Sequence, residues 1–429
     1  MLLRSLKLKR VLSFGPEAEP VELRPLNLLI GPNGSGKSNF IEAIGLLQAA
    51  PGELARPIRE GGGIRSWLWR SGGAPVSYTD VPAPAELEAV LINEGHADLR
   101  HRLAFTEVDQ RLAVVDERIA LDQPRPGARK PYFFFGYEDG SPMLNVGKRS
   151  RRSLQRQDID PQRSILAQRK DPDQYPELSF VSDAYEGIRL YREWSFGPGA
   201  APRHPQPADL PTSYLLPDAR NLGLVLNRLR RDVETKRKLV EALQQCFAGI
   251  TDFSVQVEGG TVQIFLEEQH VVVPATRLSD GTMRWLALIA LLVDPRPPRL
   301  IVIEEPELGL HPDLIRTLAS LLRQAAERTQ LVITTHSTAL LDMFSDDPGA
   351  VLVCERAGDS TTMRRCDAKG PLRQGAWVRS DRNDRLARGQ APLSSRGRVL
   401  RRVDAARAGD ECCEYRQSVV TRTRLRAAK

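Results

Sequence analysis

The sequence predicts an α/β protein built on a mostly parallel sheet flanked by helices, and three stretches carry that prediction. The octet GPNGSGKS, Gly31 to Ser38, follows the apolar run Leu26 to Ile30, which reads as a strand leading into a glycine-rich turn and a helix. LIVIEEPELGLHP carries a second apolar strand into Glu304 and Glu305. LVITTHS ends a third, Leu331 to Thr334, just before His336.

From the N-terminus, Leu2 to Leu12 and Val21 to Ile30 read as two strands separated by a turn at Gly15 and Pro16. In the octet the glycines let the loop fold tightly, so that backbone N–H groups point at phosphate oxygens. The candidate phosphate site is Gly31, Asn33, Gly34, Ser35, Gly36, Lys37, Ser38 and Asn39. Lys37 would reach the β and γ oxygens of a nucleotide, and the Ser38 hydroxyl would ligate Mg²⁺. The helix Asn39 to Gln48 aims its positive end at the same anion.

Leu87, Val90, Ile92, Leu103, Phe105, Val108, Leu112, Val114 and Val115 predict antiparallel hairpins forming a side lobe between Ala85 and Leu121. Residues 122–176, rich in Pro, Arg and Gln, read as an irregular or mobile insertion. IRLYREWSFGP from Ile188 mixes aromatic and basic residues. Buried aromatics at a lobe junction are preferred there over stacking on nucleic acid. From Leu222 to Phe247 a 4-3 apolar spacing predicts one amphipathic helix within NLGLVLNRLRRDVETKRKLVEALQQCF, a stretch of 27 residues. At 1.5 Å per residue it spans about 40 Å, too short for a long coiled-coil arm. Val255 to Val257, Val262 to Leu266 and Val271 to Val273 are short strands around Gly259 and Gly260. They lead to RLSDGTMRWLALIALL, a Ser279-Asp280-Gly281 turn opening an apolar helix. The expected division is 1–84 for the first half of the core, 85–250 for inserted β and helical lobes, 251–360 for the second half, and 361–429 for a basic tail.

No apolar run approaches the roughly 20 residues a bilayer requires, and MLLRSLKLKR lacks a signal-peptide apolar core. Cys246, Cys354, Cys366, Cys412 and Cys413 are scattered without a CxxC pair, which argues against a disulfide framework and a zinc site. A cytoplasmic protein is expected. The net charge of +7 is unevenly placed: residues 364–429 hold 18 Lys/Arg against 7 Asp/Glu, a surplus of 11, which leaves residues 1–363 at −4. Basicity is therefore no evidence that the body binds nucleic acid.

Taken in order, GPNGSGKSN, LSDGT, IEEPELGLHP and TTHS resemble the RecF-like, SMC-related branch of ABC-type ATPase heads, the predicted ATPases filed under AAA or OLD-like names. The resemblance covers residues 1 to about 355. It implies ATP and Mg²⁺ as cofactors and an ATP-gated head-to-tail homodimer. Glu304 would support Mg²⁺ with Ser38, Glu305 would orient and deprotonate the attacking water, and His336 would contact the γ-phosphate. Ser279, Asp280 and Gly281 form the signature turn that faces the nucleotide of a second subunit, and Leu308 to His311 would cross the interface. Two departures stand out: Glu304 replaces an aspartate, and LSDGT replaces LSGGQ. Gln48 is the nearest candidate for the glutamine such heads carry. DNA is the leading partner, in repair or genome maintenance. The alternative is an ATPase sensor of a defence or toxin module acting through a separate effector.

Beyond Thr362 the apolar periodicity ends. Arg379, Arg382, Arg385 and Arg388 recur three apart, but Gly375, Gly389, Pro392 and Gly397 interrupt any helix. This tail reads as a disordered nucleic-acid-binding segment or as an out-of-frame product.

Overall fold

Side chains alternate between the two faces of a strand, so a sheet covered on both sides needs apolar residues at nearly every position. LNLLI, LIVIE and QLVIT meet that demand. The structure is a computed structural model, and it describes residues 1–70, 83–138, 140–146, 150–246, 249–269 and 271–366. In it these runs lie in a six-stranded sheet ordered Ile188–Tyr191, Leu300–Glu304, Gln330–Thr334, Leu26–Ile30, Val351–Ala357, Ser360–Arg365. The first five strands are parallel and the last returns antiparallel. Leu29, Val302, Val332 and Leu352 enter one core, whereas Leu28, Ile301, Ile303, Ile333 and Val353 enter the other. Where these strands end, Gly31, Arg192, Glu304, Glu305 and Thr335 collect along one edge. Ligands of open α/β sheets bind outside that carboxyl edge.

The first core is closed by an eight-stranded antiparallel sheet, in the order Val21–Glu22, Leu3–Lys9, Ala85–Leu91, Leu99–Val108, Arg111–Leu121, Phe133–Glu138, Ser141–Val146, Ser150–Ser153. The expected hairpins are there, but the reading of 122–176 as irregular is corrected. Phe135 and Leu144 are buried and anchor two of three further strands, and helices Ile165–Gln168 and Pro176–Glu186 follow. Arginines on the edge strand Ser150–Ser153, and Pro124, Pro126 and Pro131 ahead of Phe133–Glu138, hid these short strands. The strands do not divide at residues 84 and 250. Leu3–Lys9 belongs with the antiparallel sheet, and Ile188–Tyr191 with the parallel one.

The helix expected over Leu222 to Phe247 is two, Leu222–Leu229 and Val233–Cys246, and Phe247 lies outside the described residues. The break has a local cause. Asp232 Oδ1 accepts from the Thr235 amide at 2.8 Å and its hydroxyl at 2.6 Å, which starts a new helix just after Arg230 and Arg231. The aromatics after Ile188 are packed inward: Tyr191 and Phe196 are buried, with Trp194 edge-on between them at 5.5 and 5.6 Å. Strands Ile250–Glu258, Thr261–Glu268 and Val271–Pro274 form a small sheet with Gln206–Pro207. The helix Asp280–Leu292, buried at nine positions, then crosses the second core.

The tail boundary also moves. Ser360–Arg365 is a strand of the main sheet, and Arg365 donates to Gly349 O and to Asn27 Oδ1. Residues 367–429 lie outside the described ones, and with them both readings of the tail. No helix among the described residues is long and apolar enough to cross a membrane.

Candidate nucleotide site

The loop from Gly31 to Gly36 is possible only because of its glycines at two points. Gly31, at φ 148°, has the Cys354 carbonyl 2.2 Å from where a Cβ would stand, and Gly36, at φ 104°, has Thr361 Oγ1 at 2.3 Å. The loop is gripped from the far edge of the sheet: Thr361 Oγ1 donates to Ser35 O at 2.9 Å and pairs with Ser13 Oγ at 2.7 Å. Gly36 then caps the helix Lys37–Ala49, two residues earlier than the sequence suggests. Lys37 is 7% exposed and donates to Gly31 O at 2.7 Å and Pro32 O at 3.1 Å. Burial lowers its pKa, against the opposing pull of Cys354 and Glu305. A phosphate beside this ammonium would reverse that penalty. Ser35 Oγ is buried with no partner, an orphan that an anion-bound loop can use. Asn33 and Gly34 are exposed on the loop, and Ser38 is exposed in the first turn of the helix. Asn39 is placed otherwise: its amide donates to Ser13 Oγ at 2.7 Å, bracing the loop.

Beside the loop, Glu304 and Thr334 are register partners on adjacent strands, and Glu305 follows at φ 46°. A left-handed backbone is costly for a glutamate and survives where neighbours fix it. Here the Glu305 amide donates to Thr334 O at 3.0 Å. The carboxylate then stands 3.7 Å from His336 Nε2, with both side chains partly exposed. His336 does not cap the next helix; Ser337 does, accepting from the Leu340 amide.

At the signature turn, Ser279 caps the helix by accepting from the Thr282 amide at 3.0 Å, and Gly281 packs against Gly309, whose carbonyl lies 3.0 Å from a built Cβ. Asp280 faces away from both, in an ion pair with Arg203. Leu308 is 57% exposed, a large apolar side chain at the tip of the EEPELGLHP turn. His311 is exposed, with its Nδ1 3.3 Å from the carboxylate of Asp313, its local neighbour. The structure therefore gathers the phosphate loop, Glu304, Glu305 and His336 along one edge. It sets Ser279 to Gly281 beside Gly309 of the turn that follows the acidic strand.

Several residues at this edge carry no motif. Arg192 ends the outer strand, and its Nε donates to Glu304 Oε1 at 2.8 Å. Glu307 Oε1 accepts from Thr335 Oγ1 at 2.5 Å and from the His336 amide at 3.3 Å, tying the acidic turn to the histidine strand. Arg284, on the signature helix, has its pKa lowered by burial, opposed by Glu307 and Glu305. Gln48 is spent structurally, donating to Ile188 O at 2.7 Å. For Glu307 the signal was in the EEPE string; for the arginines there was none. Ser38 and Glu304 offer two hard oxygen ligands, which suits Mg²⁺, an ion that keeps waters and takes its other ligands from phosphates.

A family model described as "AAA domain, putative AbiEii toxin, Type IV TA system" matches residues 26–342. No curated protein matches the chain. Among solved structures, a SmcHead bound to the C-winged helix domain of ScpA is similar at 15% identity and a TM-score of 0.53, covering 86% of this chain and 98% of that one. An Smc head domain with an extended coiled coil, bound to the C-terminal domain of ScpA and derived from Pyrococcus furiosus, is similar at 14% identity and a TM-score of 0.51. That match covers 89% of this chain and 100% of that one. At these identities the likeness is one of fold, the ATPase head with its phosphate loop.

Proposed function

The chain belongs to this AAA-domain family, and from that premise we propose that it binds and hydrolyses ATP as a switch whose complete site forms between two copies. The observation that carries the proposal is the pairing of Glu305 at a strained φ of 46° with His336 at 3.7 Å, next to a buried Lys37. Lys37 and the loop amides bind the β and γ phosphates. Glu305 takes the proton of the attacking water, and His336 holds the γ-phosphate while it does so. Mg²⁺, held by Ser38 and Glu304, would supply charge neutralisation at the β and γ oxygens. Ser279 and the amides at the start of the Asp280–Leu292 helix would complete the cage from the second copy, where the helix dipole favours an anion.

The nucleotide base is assigned to a groove of about 440 Å³ between Gly15, Trp69 and Ser360, adjoining Thr361 and hence the phosphate loop. Trp69 is fixed there by donating Nε1–H to Asp359 O at 3.2 Å. Trp69→Ala is expected to weaken ATP about tenfold or more, the loss of one base–aromatic stack, and to leave inorganic tripolyphosphate binding unchanged. Calorimetry with both ligands checks this; equal losses for both would remove the base assignment.

Downstream of the switch, the leading reading is a clamp on DNA in repair or genome maintenance. Hydrolysis stimulated severalfold by single-stranded, duplex or gapped DNA is the expected result. A second reading, favoured by the toxin-system description of the family, is an ATPase regulating a separate effector. Unchanged hydrolysis with every DNA, together with a stable complex with a co-encoded nuclease, would select it.

A further inference from the structure

The sequence LSDGT puts a carboxylate where the turn is meant to meet a phosphate, and the structure shows what that carboxylate does instead. Arg203 sits on a short 3₁₀ turn, Ala201–Arg203, with its side chain 4% exposed. Four of the five N–H donors of its guanidinium are engaged. Nε donates to Phe196 O at 2.6 Å, Nη1 to Ala275 O at 3.2 Å and Leu278 O at 2.5 Å, and Nη2 to Asp280 Oδ1 at 2.5 Å. Three of these four bonds grip the turn that carries Ser279 and Gly281, from a segment more than seventy residues upstream. A planar fork of donors fixes several acceptors in one geometry, which a flexible lysine cannot reproduce.

We propose that Arg203 is the positioning residue of the signature turn, and that Asp280 is its counter-ion and not a nucleotide contact. A carboxylate left free beside a γ-phosphate would repel it. Drawn sideways onto a buried guanidinium, the same carboxylate leaves the Asp280 and Gly281 amides to face the anion, while Ser279 caps the Thr282 amide. The segment that ends at Arg203 begins at Arg192, whose guanidinium holds Glu304 of the same chain. Tyr191, just before that segment, and Trp194 and Phe196, within it, pack edge to face and hold its first part. Within the turn expected to face the second copy's nucleotide, Ser279 and Gly281 are thus the contacts and Asp280 holds the turn in place.

The inference rests on the shared-site reading, and its test separates the two. In a Glu305→Gln background, Arg203→Ala is expected to keep ATP affinity within about twofold and to weaken ATP-dependent dimerisation at least tenfold. Arg203→Lys should fall between, because it restores a charge without the fork. Asp280 is 66% exposed at its side chain, so Asp280→Ala folds even where Arg203→Ala does not. It should weaken the dimer severalfold, with Asp280→Asn closer to the parent. Hydrogen–deuterium exchange of the peptide spanning residues 275–283 supplies a readout that needs no dimer: it should quicken in Asp280→Ala and Arg203→Ala. If Glu305→Gln does not dimerise yet exchange quickens, the shared site fails and the positioning role stands. If the dimer tightens in Asp280→Ala, or exchange and dimerisation both match the parent, the inference is overturned.

Discussion

Lys37→Ala is expected to lose ATP binding by on the order of a hundredfold or more, the worth of two or so charge-assisted hydrogen bonds to phosphate. Among the described residues, the nearby arginines are held elsewhere. Arg192 is drawn to Glu304, and Arg284 lies toward Glu305 and Glu307 on the signature helix. The substitution has a second consequence that must be kept apart from the first. In the structure Lys37 satisfies the Gly31 and Pro32 carbonyls, and alanine leaves those two without it. Because burial lowers the folded-state pKa of Lys37, its protonated form is held at a cost throughout neutral pH. That cost fades only as pH rises through the lowered pKa toward 10.5. Removing the charge therefore offsets part of the penalty, and the melting temperature should move far less than the affinity. Calorimetric titration with ATP, beside a thermal melt, measures both. Affinity within a few-fold of the parent in a folded protein would place the nucleotide elsewhere.

How much of this site could be read from the chain depends on whether the physics was local. Strands such as LNLLI and LIVIE are legible because burial on both faces forces unbroken apolar runs, and the loop between Gly31 and Ser38 is legible because only glycines pass Cys354 O and Thr361 Oγ1. The Ser279 cap is local too, since its acceptor and donor lie three residues apart. By contrast, Arg192 meets Glu304 across 112 positions, and Arg203 meets Asp280 across 77. Nothing in the flanking residues marks either arginine, and only the tertiary fold brings each to its partner, Arg192 through the pairing of Ile188–Tyr191 with Leu300–Glu304. The two helices between Leu222 and Cys246 were hidden differently. The apolar spacing runs through the break, so periodicity saw one helix while the cap at Asp232, three residues before Thr235, made two.

The last expected result concerns the two halves of the site together. Glu305→Gln should bind ATP with near-parent affinity and hydrolyse it at least a hundredfold more slowly, because an amide cannot accept the proton of the attacking water. The exchange is gentle on the fold. Glutamine is the same length, both residues bear the left-handed φ of 46° equally, and the Glu305 amide still donates to Thr334 O. With the γ-phosphate persisting, two copies should stay joined through it, so ATP should convert the variant from monomer to dimer. Adding Ser279→Arg tests what joins them. Ser279 is exposed and its hydroxyl bonds within its own turn, to Thr282, so ATP should bind to the same chain as before. The long side chain fills the space in which the other copy's nucleotide must dock. The substitution also removes the cap on the Thr282 amide, about 1 kcal/mol, which a thermal melt detects and which is too small to unfold the protein. Light scattering with and without ATP then separates the mechanisms. A dimer for Glu305→Gln and a monomer for the double variant, both saturated with ATP, is the signature of a site shared between copies. Two monomers would leave Glu305 and His336 working within one chain, and two dimers would move the interface away from Ser279.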